Sequence, residues 1–275
     1  MKFLLFLLPI PLLILSGCNN QFNKILKSSD YQYKLQKADE YYADKNYKNA
    51  ETLYQELFPV FKGSDKFEEL YYKYAYCSYY QKNYLDAENL FKSYLGVFPN
   101  SSKAEEIAYM HAYTFYMQSP HVELDQTNTI KAIGMMQGFI NTYPNSSRKA
   151  EANEVITECR AKLEKKDYIS AKLYYNLSDY QASALTFSAL LINYPDTHSG
   201  DDYMLMAVKS YYEYAQSSIY SKQEQRYEKV TSEYFDFADR YPDSKLLKDA
   251  EQYKNLSQNA IKKIKDEQIK EATSF

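Results

Sequence analysis

The chain has 275 residues and a formal net charge of −3, with only 6 glycines and 8 prolines. This length suffices for one elongated domain or two small ones, and the slightly acidic charge argues against nucleic acid as the main partner. The scarcity of glycine and proline favours long helices over strands and turns. The 32 tyrosines supply rings that bury an apolar face and keep a polar tip.

Residues 1–17 have the features of a secretory signal peptide. Lys2 gives a positive start, and the apolar run at 3–14 is too short and too interrupted by proline to span a membrane. The next four residues, LSGC, resemble a bacterial lipobox. That resemblance implies cleavage before Cys18, lipid attachment (palmitate and diacylglycerol) to Cys18, and a lipidated tether over 18–29. The alternative is an ordinary signal peptide with an incidental cysteine.

A repeated pattern of apolar positions follows. From Tyr84, apolar side chains occur at offsets 3, 6, 7, 10, 11 and 14, just before Pro99. These offsets lie along one side of an α-helix. Because proline disfavours helix at the residue before it, we expect each helix to end at its proline. The pattern starts again at four other positions, the first of which has an early proline at Pro59: Tyr47, Thr129, Tyr180 and Tyr227.

Residues between these patterned helices predict the other helix of each pair. Ser102 to Glu105 has the sequence of a capping box, and Ser146, Ser147 and Ser244 are predicted helix caps of the same kind. Nine residues before three of the pattern starts stands an alanine, small enough for close helix contact: Ala38, Ala75 and Ala171. The polar stretch from Ser244 to about Thr273 predicts a helix that caps the stack.

This arrangement resembles the tetratricopeptide repeat, in which a small residue and an aromatic recur at these positions before a proline. The resemblance covers roughly 30–250 and implies an all-α, tetratricopeptide-like helical-repeat solenoid of about five helix pairs with a C-terminal capping helix. Proline spacings of 40 to 51 residues exceed the usual period of about 34, so helices or connections are lengthened. The largest addition is the segment from Ser119 to Asn128.

A lipobox followed by such repeats resembles the BamD family of lipoproteins of the outer-membrane β-barrel assembly machinery, the BAM complex. The joints FPNSSKAEE and YPNSSRKAEANE carry this resemblance, together with 164–183 and 194–213. The segment 119–133 is similar to the third-repeat loop of Bacteroidetes-type members. The family resemblance implies a non-enzymatic scaffold on the periplasmic side of the outer membrane. Its N-terminal repeats, 30–145, would receive unfolded barrel precursors, and its C-terminal repeats, 146–275, would dock on the periplasmic repeats of the central barrel protein.

The same resemblance implies the site residues. The stretches 71–81 and 108–118 align as first helices of their pairs, whose side chains line the groove in this family. The alternative is that the aligned tyrosines pack between helices. The predicted partner-docking residues are Arg226 and Lys229, both of which we expect to be exposed. The predicted precursor-peptide groove comprises Tyr42, Tyr72, Tyr76, Tyr79, Gln81, Tyr109, Tyr113, Tyr116 and Gln118.

The sequence offers no catalytic constellation. His111, His121 and His198 stand apart from any cluster with metal-ligand spacing, and we expect Cys77 and Cys159 to be buried thiols. No cofactor is expected beyond the covalent lipid. A hydrolase acting on envelope polymers would need a nucleophile and base that the sequence does not present. The closer alternative is another periplasmic repeat lipoprotein that scaffolds an envelope or secretion complex.

Overall fold

The computed structural model describes residues 16–273, with side chains from residue 21. Most of the predicted signal peptide, residues 1–15, therefore lies outside the described residues, as does the side chain of Cys18. Within 16–273 all the regular structure is helical. The helices are α1 Ser16–Leu26, α2 Tyr31–Ala43, α3 Tyr47–Phe61, α4 Phe67–Tyr80, α5 Tyr84–Val97, α6 Ala104–Met117, α7 Thr127–Thr142, α8 Lys149–Asn176, α9 Tyr180–Asn193, α10 Gly200–Gln216, α11 Tyr220–Arg240 and α12 Leu247–Thr273.

The predicted all-α helical-repeat class is confirmed. Successive helices form five pairs from α2/α3 to α10/α11, and the long polar helix α12 follows the last pair. The described helices divide into two compact units, the first comprising described residues up to 120 together with 125–159, and the second comprising 121–124 and the described residues from 160 onward. α8 contributes residues to both units. Each unit has its own buried apolar core.

In three pairs, small and fully buried residues lie on both helices. The predicted alanines of the first helices, Ala38, Ala75 and Ala171, are all fully buried. Three residues into the repeated pattern, the second helices present residues that are also fully buried: Ala50, Ala87, Ala132, Ser183 and Val230. In the fourth pair the contact is direct, because the Ser183 hydroxyl donates a hydrogen bond to the carbonyl of Ala171 at 3.1 Å.

A short turn with a left-handed residue joins the helices of three pairs. Lys45, Lys82 and Ser178 have φ of 59°, 65° and 62°, a conformation that non-glycine residues adopt at some cost. An Asn or Asp follows each of them and immediately precedes the second helix. The third pair lacks this turn, since the predicted insertion separates Met117 from Thr127.

The prolines end four of the five second helices as predicted. α5, α7, α9 and α11 each stop two residues before Pro99, Pro144, Pro195 and Pro242. The prediction is wrong for Pro59, because α3 continues through it to the buried Phe61. Proline at 59 removes the hydrogen bond to the carbonyl of Gln55. Gln55 is exposed, so water can replace that bond while Phe61 keeps its place in the core.

The predicted capping box is also wrong. α6 begins at Ala104, and its first turn has no side-chain cap. Ser101, and not Ser102, bonds to the backbone here: its hydroxyl accepts from the N–H of Lys103 at 2.9 Å and donates to Glu68 of α4 at 2.6 Å. Ser146 makes equivalent bonds to Arg148 and Glu105, and Ser244 to Leu246 and Asp201. These serines stand ahead of the helices and not at their N-caps.

Thr197 is the fourth residue of this kind, since its hydroxyl donates to Glu164 and accepts from the N–H of Ser199. We call this arrangement a serine/threonine clasp. In each clasp, the hydroxyl two residues after a helix-ending proline donates to a carboxylate on the first helix of the same pair and accepts from one backbone N–H. The hydrogen bonds from Ser101 and Tyr94 lower the pKa of Glu68. Each clasp holds the turn between two repeats against the helix that precedes it.

The N-terminal helix is fastened to the first unit by a buried lysine. Ile25 of α1 is buried in the core, and Phe22 meets Tyr41 with ring centroids 5.8 Å apart. The ammonium of Lys34 donates to the carbonyl of Leu26 at 2.8 Å and pairs with Glu56 at 2.8 Å. The described end of the predicted tether is thus packed against α2. Cys77 and Cys159 are buried as thiols, as predicted.

We predict that Ser101→Ala lowers the free energy of unfolding by about 1–2 kcal/mol, because it removes hydrogen bonds to a carboxylate and to a backbone N–H. The neighbouring Ser102 is exposed and makes no side-chain hydrogen bond among the described residues, so Ser102→Ala is the matched control. Chemical denaturation of both variants measures the difference, and equal stability would contradict the clasp.

The same pair of variants tests the pKa of Glu68. Because the folded protein holds this pKa below its usual value, the stabilisation is complete above about pH 4.3 and is lost as the pH falls through the folded value. The difference between Ser101→Ala and Ser102→Ala should therefore shrink in acid.

Candidate functional site

Six tyrosines of α4 and α6 form the candidate site, which we call the tyrosine cluster. Its members are spaced by three and four residues, so on each helix they share one side. The rings of Tyr72 and Tyr76 are 4.7 Å apart, and those of Tyr109 and Tyr113 stack at 5.6 Å. The cluster comprises Tyr72, Tyr76, Tyr79, Tyr109, Tyr113 and Tyr116.

A carboxylate joins the two helices within the cluster. Glu106 of α6 accepts hydrogen bonds from the hydroxyls of Tyr72 and Tyr76, the former at 2.9 Å. Lys103, the residue just before α6, places its ammonium 5.1 Å from the ring centroid of Tyr72. Tyr113 is close enough to Tyr79 to contribute to its raised pKa. The tyrosines of α4 and α6 therefore form one connected set.

Two charged side chains, one just before α8 and one within it, contact the tyrosines of α6. The guanidinium of Arg148 lies just before α8 and 4.8 Å from the ring centroid of Tyr109, a distance at which cation–π attraction operates. Glu158 accepts a hydrogen bond from the hydroxyl of Tyr116. The sequence analysis missed these charged partners, although Glu106 and Arg148 both lie in the quoted joint sequences.

The tyrosines differ in exposure. Tyr76 and Tyr109 are each only 5% exposed and pack in the core, whereas Tyr72, Tyr79, Tyr113 and Tyr116 are half-buried. Both alternatives from the sequence therefore describe part of the cluster: two rings fill the space between helices and four retain surface that a ligand can touch. The structure adds Tyr80, which is 46% exposed and stacks on Tyr47 at 4.6 Å.

The phenols of the cluster stay neutral at physiological pH. Burial, followed by the hydrogen bond to Glu106, raises the pKa of Tyr72 to about 12. The hydrogen bond to Glu158, followed by burial, raises the pKa of Tyr116 to about 12. Burial also raises the pKa of Tyr79 to about 12. A phenol that donates to a carboxylate keeps oxygen lone pairs, so it can still accept a hydrogen bond from a ligand N–H.

Three other predicted groove residues are already engaged within the protein. Tyr42 of α2 is half-buried against the rings of Tyr47 and Tyr54. The Gln81 amide nitrogen donates to Glu51 at 2.6 Å and to the carbonyl of Cys77. The Gln118 amide nitrogen donates to the carbonyl of Thr114 at 3.1 Å. Both amide nitrogens therefore donate to groups of the protein itself at the C-terminal ends of α4 and α6.

The predicted docking residues lie on α11 in the second unit. Lys229 is exposed and forms an ion pair with Glu233, whose hydrogen bond raises the pKa of Lys229. Arg226 is half-buried, so the expectation that it is exposed is wrong. Its guanidinium lies 3.9 Å from the ring centroid of Tyr214 and contacts the Ser218 hydroxyl. Of the two, only Lys229 is exposed, and its ammonium is already paired with Glu233 and lies 5.5 Å from the ring centroid of Tyr211.

Neither a metal centre nor a membrane span is found in the part of the chain that the structure describes. Among the side chains described, those of residues 21–273, no three histidine, cysteine or carboxylate groups are placed to act together as metal ligands. No helix within the same residues has the length and apolar character needed to cross a membrane. The tyrosine cluster itself presents ring faces and neutral phenols, together with the charged side chains of Lys103, Arg148 and Glu158. These are groups suited to binding.

Paired helices joined by clasps define a helical-repeat protein, and the comparisons with known proteins identify its family. The family model described as YfiO, outer membrane lipoprotein, matches residues 28–226. Because this match covers most of the chain, the protein belongs to that BamD-type family of outer membrane lipoproteins. Outer-membrane association, as the sequence predicted, is confirmed at this level.

The other comparisons do not identify a family. A search of curated proteins found no match. Among solved structures, the chain is similar to the TPR2AB domain of yeast Sti1, described in its complex with pHSP90. The identity is 10% over 83% of this chain and 98% of that chain, with a TM-score of 0.38.

Proposed function

We propose that this protein is a non-enzymatic scaffold and substrate-receiving lipoprotein of the outer-membrane β-barrel assembly machinery. Family membership over residues 28–226 supports this role. The observation that carries the receiving function is the tyrosine cluster, with four half-buried rings on two neighbouring helices of the first unit. Its ligand would be the unfolded C-terminal segment of a barrel precursor.

The chemistry of the cluster fits such a segment. A barrel strand alternates aromatic and polar residues, and its backbone N–H groups have no partners before insertion. The ring faces of Tyr79 and Tyr113 can pack against the aromatic side chains. The oxygens of Tyr72 and Tyr116 can accept from the backbone N–H groups, because carboxylates already hold their protons. The cluster would thus recognise an extended chain with little dependence on its exact sequence.

The remaining parts of the proposal concern anchoring and partners. Cys18 would carry the lipid that holds the protein on the periplasmic face of the outer membrane, and Ile25 and Lys34 would transmit that attachment to the first unit. The second unit would dock on the periplasmic repeats of the central barrel protein through α11. Segment 119–133 supports a Bacteroidetes-type member. The second candidate is a lipoprotein that scaffolds another envelope or secretion complex, for which co-purification without a barrel protein would be the evidence.

We predict that Tyr113→Ala weakens binding of a barrel precursor's C-terminal peptide by about threefold to tenfold, because one aromatic contact contributes about 0.5–1.5 kcal/mol beyond area burial. Tyr174 in the second unit is 40% exposed, so Tyr174→Ala is the matched control and should bind normally. Fluorescence anisotropy measures both affinities. Unchanged binding by a folded Tyr113→Ala protein would place the receiving surface elsewhere.

Tyr76→Ala should affect folding stability, in contrast to the effect of Tyr113→Ala on peptide binding. The Tyr76 ring is buried and its hydroxyl bonds Glu106, so its removal should cost about 3–5 kcal/mol of folding stability. A thermal melt separates this structural effect from the binding effect of Tyr113→Ala.

We predict that Cys18→Ala abolishes incorporation of labelled palmitate and leaves an unprocessed or mislocalised precursor. The reason is that the thiol of Cys18 is the proposed attachment point, and a protein without acyl chains loses the membrane affinity that they supply. Cys77→Ala and Cys159→Ala are the controls, because both thiols are buried. Palmitate still entering the Cys18→Ala protein would refute the anchor.

We predict that Lys229→Gln weakens association with the central barrel protein by about twofold to fivefold at low salt, since an exposed charge at an interface rim contributes up to about 1 kcal/mol. Lys48 on α3 is also exposed, so Lys48→Gln makes the same charge change outside the proposed docking region. Surface plasmon resonance at two salt concentrations compares them. Equal loss in both variants would argue against docking through α11.

A further inference from the structure

Two carboxylates that hold the tyrosine cluster together use only one oxygen each to do so. The hydroxyls of Tyr72 and Tyr76 both donate to Oε1 of Glu106, and the hydroxyl of Tyr116 donates to Oε2 of Glu158. Within the described part of the chain, the other oxygen of each carboxylate accepts no hydrogen bond. A carboxylate has room for about four hydrogen bonds, so both groups keep acceptor capacity for a ligand.

Both unused oxygens are accessible from outside the protein. Glu158 is an exposed residue. Glu106 is half-buried, but the one side-chain polar atom of the described residues that is both buried and without a partner belongs to His111, so the unused oxygen of Glu106 retains contact with solvent. The rings of Tyr72 and Tyr116 are also half-buried. A ligand that packs on either ring therefore comes within reach of the carboxylate that binds the ring's own hydroxyl.

The charges of these two carboxylates are not balanced by the basic side chains of the cluster. Lys103 and Arg148 are each already paired with another glutamate, at 2.7 Å and 3.4 Å. Glu106 and Glu158 form no ion pair with any described side chain. Burial, followed by the charge of Glu158, raises the pKa of Tyr113, so this charge acts on a second ring of the cluster. The half-exposed rings therefore lie beside two negative charges that lack a cation.

We propose that the tyrosine cluster selects extended segments that carry a lysine or arginine beside their aromatic residues, with Glu158 and Glu106 as the groups that bind the cation. This inference rests on the receiving role proposed above. An aromatic side chain of the segment packs on the ring of Tyr116 or Tyr72, and the neighbouring cation donates to the unused carboxylate oxygen. Glu158 contributes more than Glu106, because the ammonium of Lys103 already lies near the ring of Tyr72. An acidic residue at the same place is repelled.

A purely structural role for the carboxylates makes a different prediction. Orienting a phenol requires an acceptor oxygen but no charge, and the amide oxygen of glutamine also accepts from a hydroxyl. Replacing Glu158 or Glu106 by glutamine therefore keeps an acceptor for the tyrosines and removes only the charge. If the carboxylates merely orient the rings, these variants bind charged and uncharged segments in the same ratio as the unaltered protein.

The first experiment compares two short synthetic peptides by fluorescence anisotropy with the full-length protein. Both alternate tyrosine or phenylalanine with serine or threonine, and they differ at one position, which is lysine in one peptide and glutamine in its twin. At low salt the lysine peptide should bind about fivefold more tightly, the factor that corresponds to an exposed charge pair of about 1 kcal/mol. The preference should disappear near 1 M salt, where the screening length is about 3 Å. Equal affinities at low salt would overturn the proposal.

Glutamine variants then locate the groups that bind the cation. Glu158→Gln should reduce the preference for lysine to about twofold or less and leave the affinity for the glutamine peptide unchanged, whereas Glu106→Gln should reduce the preference by a smaller factor. Asp65 is exposed in the turn between α3 and α4, so Asp65→Asn removes the same charge elsewhere in the first unit and should keep the full preference. Thermal melts check that each variant is folded. An unchanged preference in folded Glu158→Gln, or in Glu106→Gln should Glu158→Gln fail to fold, would overturn the proposal.

A final measurement separates failure of this inference from failure of the receiving role. Both peptides are titrated against Tyr113→Ala, which removes an aromatic contact and leaves Glu158 and Glu106 in place. Peptides that bind the unaltered protein equally well, and that both bind Tyr113→Ala more weakly, would leave the receiving role intact and contradict the selection for a cation. Binding of neither peptide to the unaltered protein would contradict the receiving role and this inference together.

Discussion

Close contact between the two helices of each pair is the constraint on which the rest of the structure depends. Ala75 and Ala87 are fully buried, as are Ala38 and Ala50 in the first pair and Ala171 and Ser183 in the fourth. Side chains this small allow the two helices of a pair to approach closely. A larger residue at either position would overpack this contact and push the helices apart. The rings of Tyr72 and Tyr76 extend from the same helix as Ala75, and their hydroxyls reach Glu106 of the next pair.

The carboxylates of the first helices then link one pair to the next. In α6 two adjacent residues divide this work, since Glu105 binds the clasp serine Ser146 and Glu106 binds Tyr72 and Tyr76. One carboxylate faces the following repeat and the other faces the preceding one. The acidic pair that begins α6 therefore fixes the turn geometry and orients the phenols together, which connects the fold directly to the candidate binding surface.

The sequence predicted the parts of this arrangement that local physics decides. Helical periodicity and the prolines located the second helices, because both act within a few residues. The capping prediction failed because the partner of Ser101 is Glu68, 33 residues away, and spacing within the joint carries no sign of it. Periodicity likewise placed Tyr76 and Tyr113 on one side of their helices but could not separate the buried ring from the half-exposed one, since that difference depends on which neighbours pack above them.

The two sides of α6 have opposite polar character. On one side, the hydroxyls of Tyr72, Tyr76 and Tyr116 already donate to carboxylates, so what remains for a ligand is acceptor oxygens and ring faces. On the other side, the buried Nε2 atom of His111 has no hydrogen-bond partner among the described residues, and the nearest carboxylate oxygen, from Glu88, is 4.0 Å away. The first arrangement favours an extended chain with many N–H groups, whereas the second holds its polar atom too deeply for a ligand to contact. Of the two sides of α6, the one that carries the tyrosine cluster therefore supplies the contacts that the proposed receiving role needs.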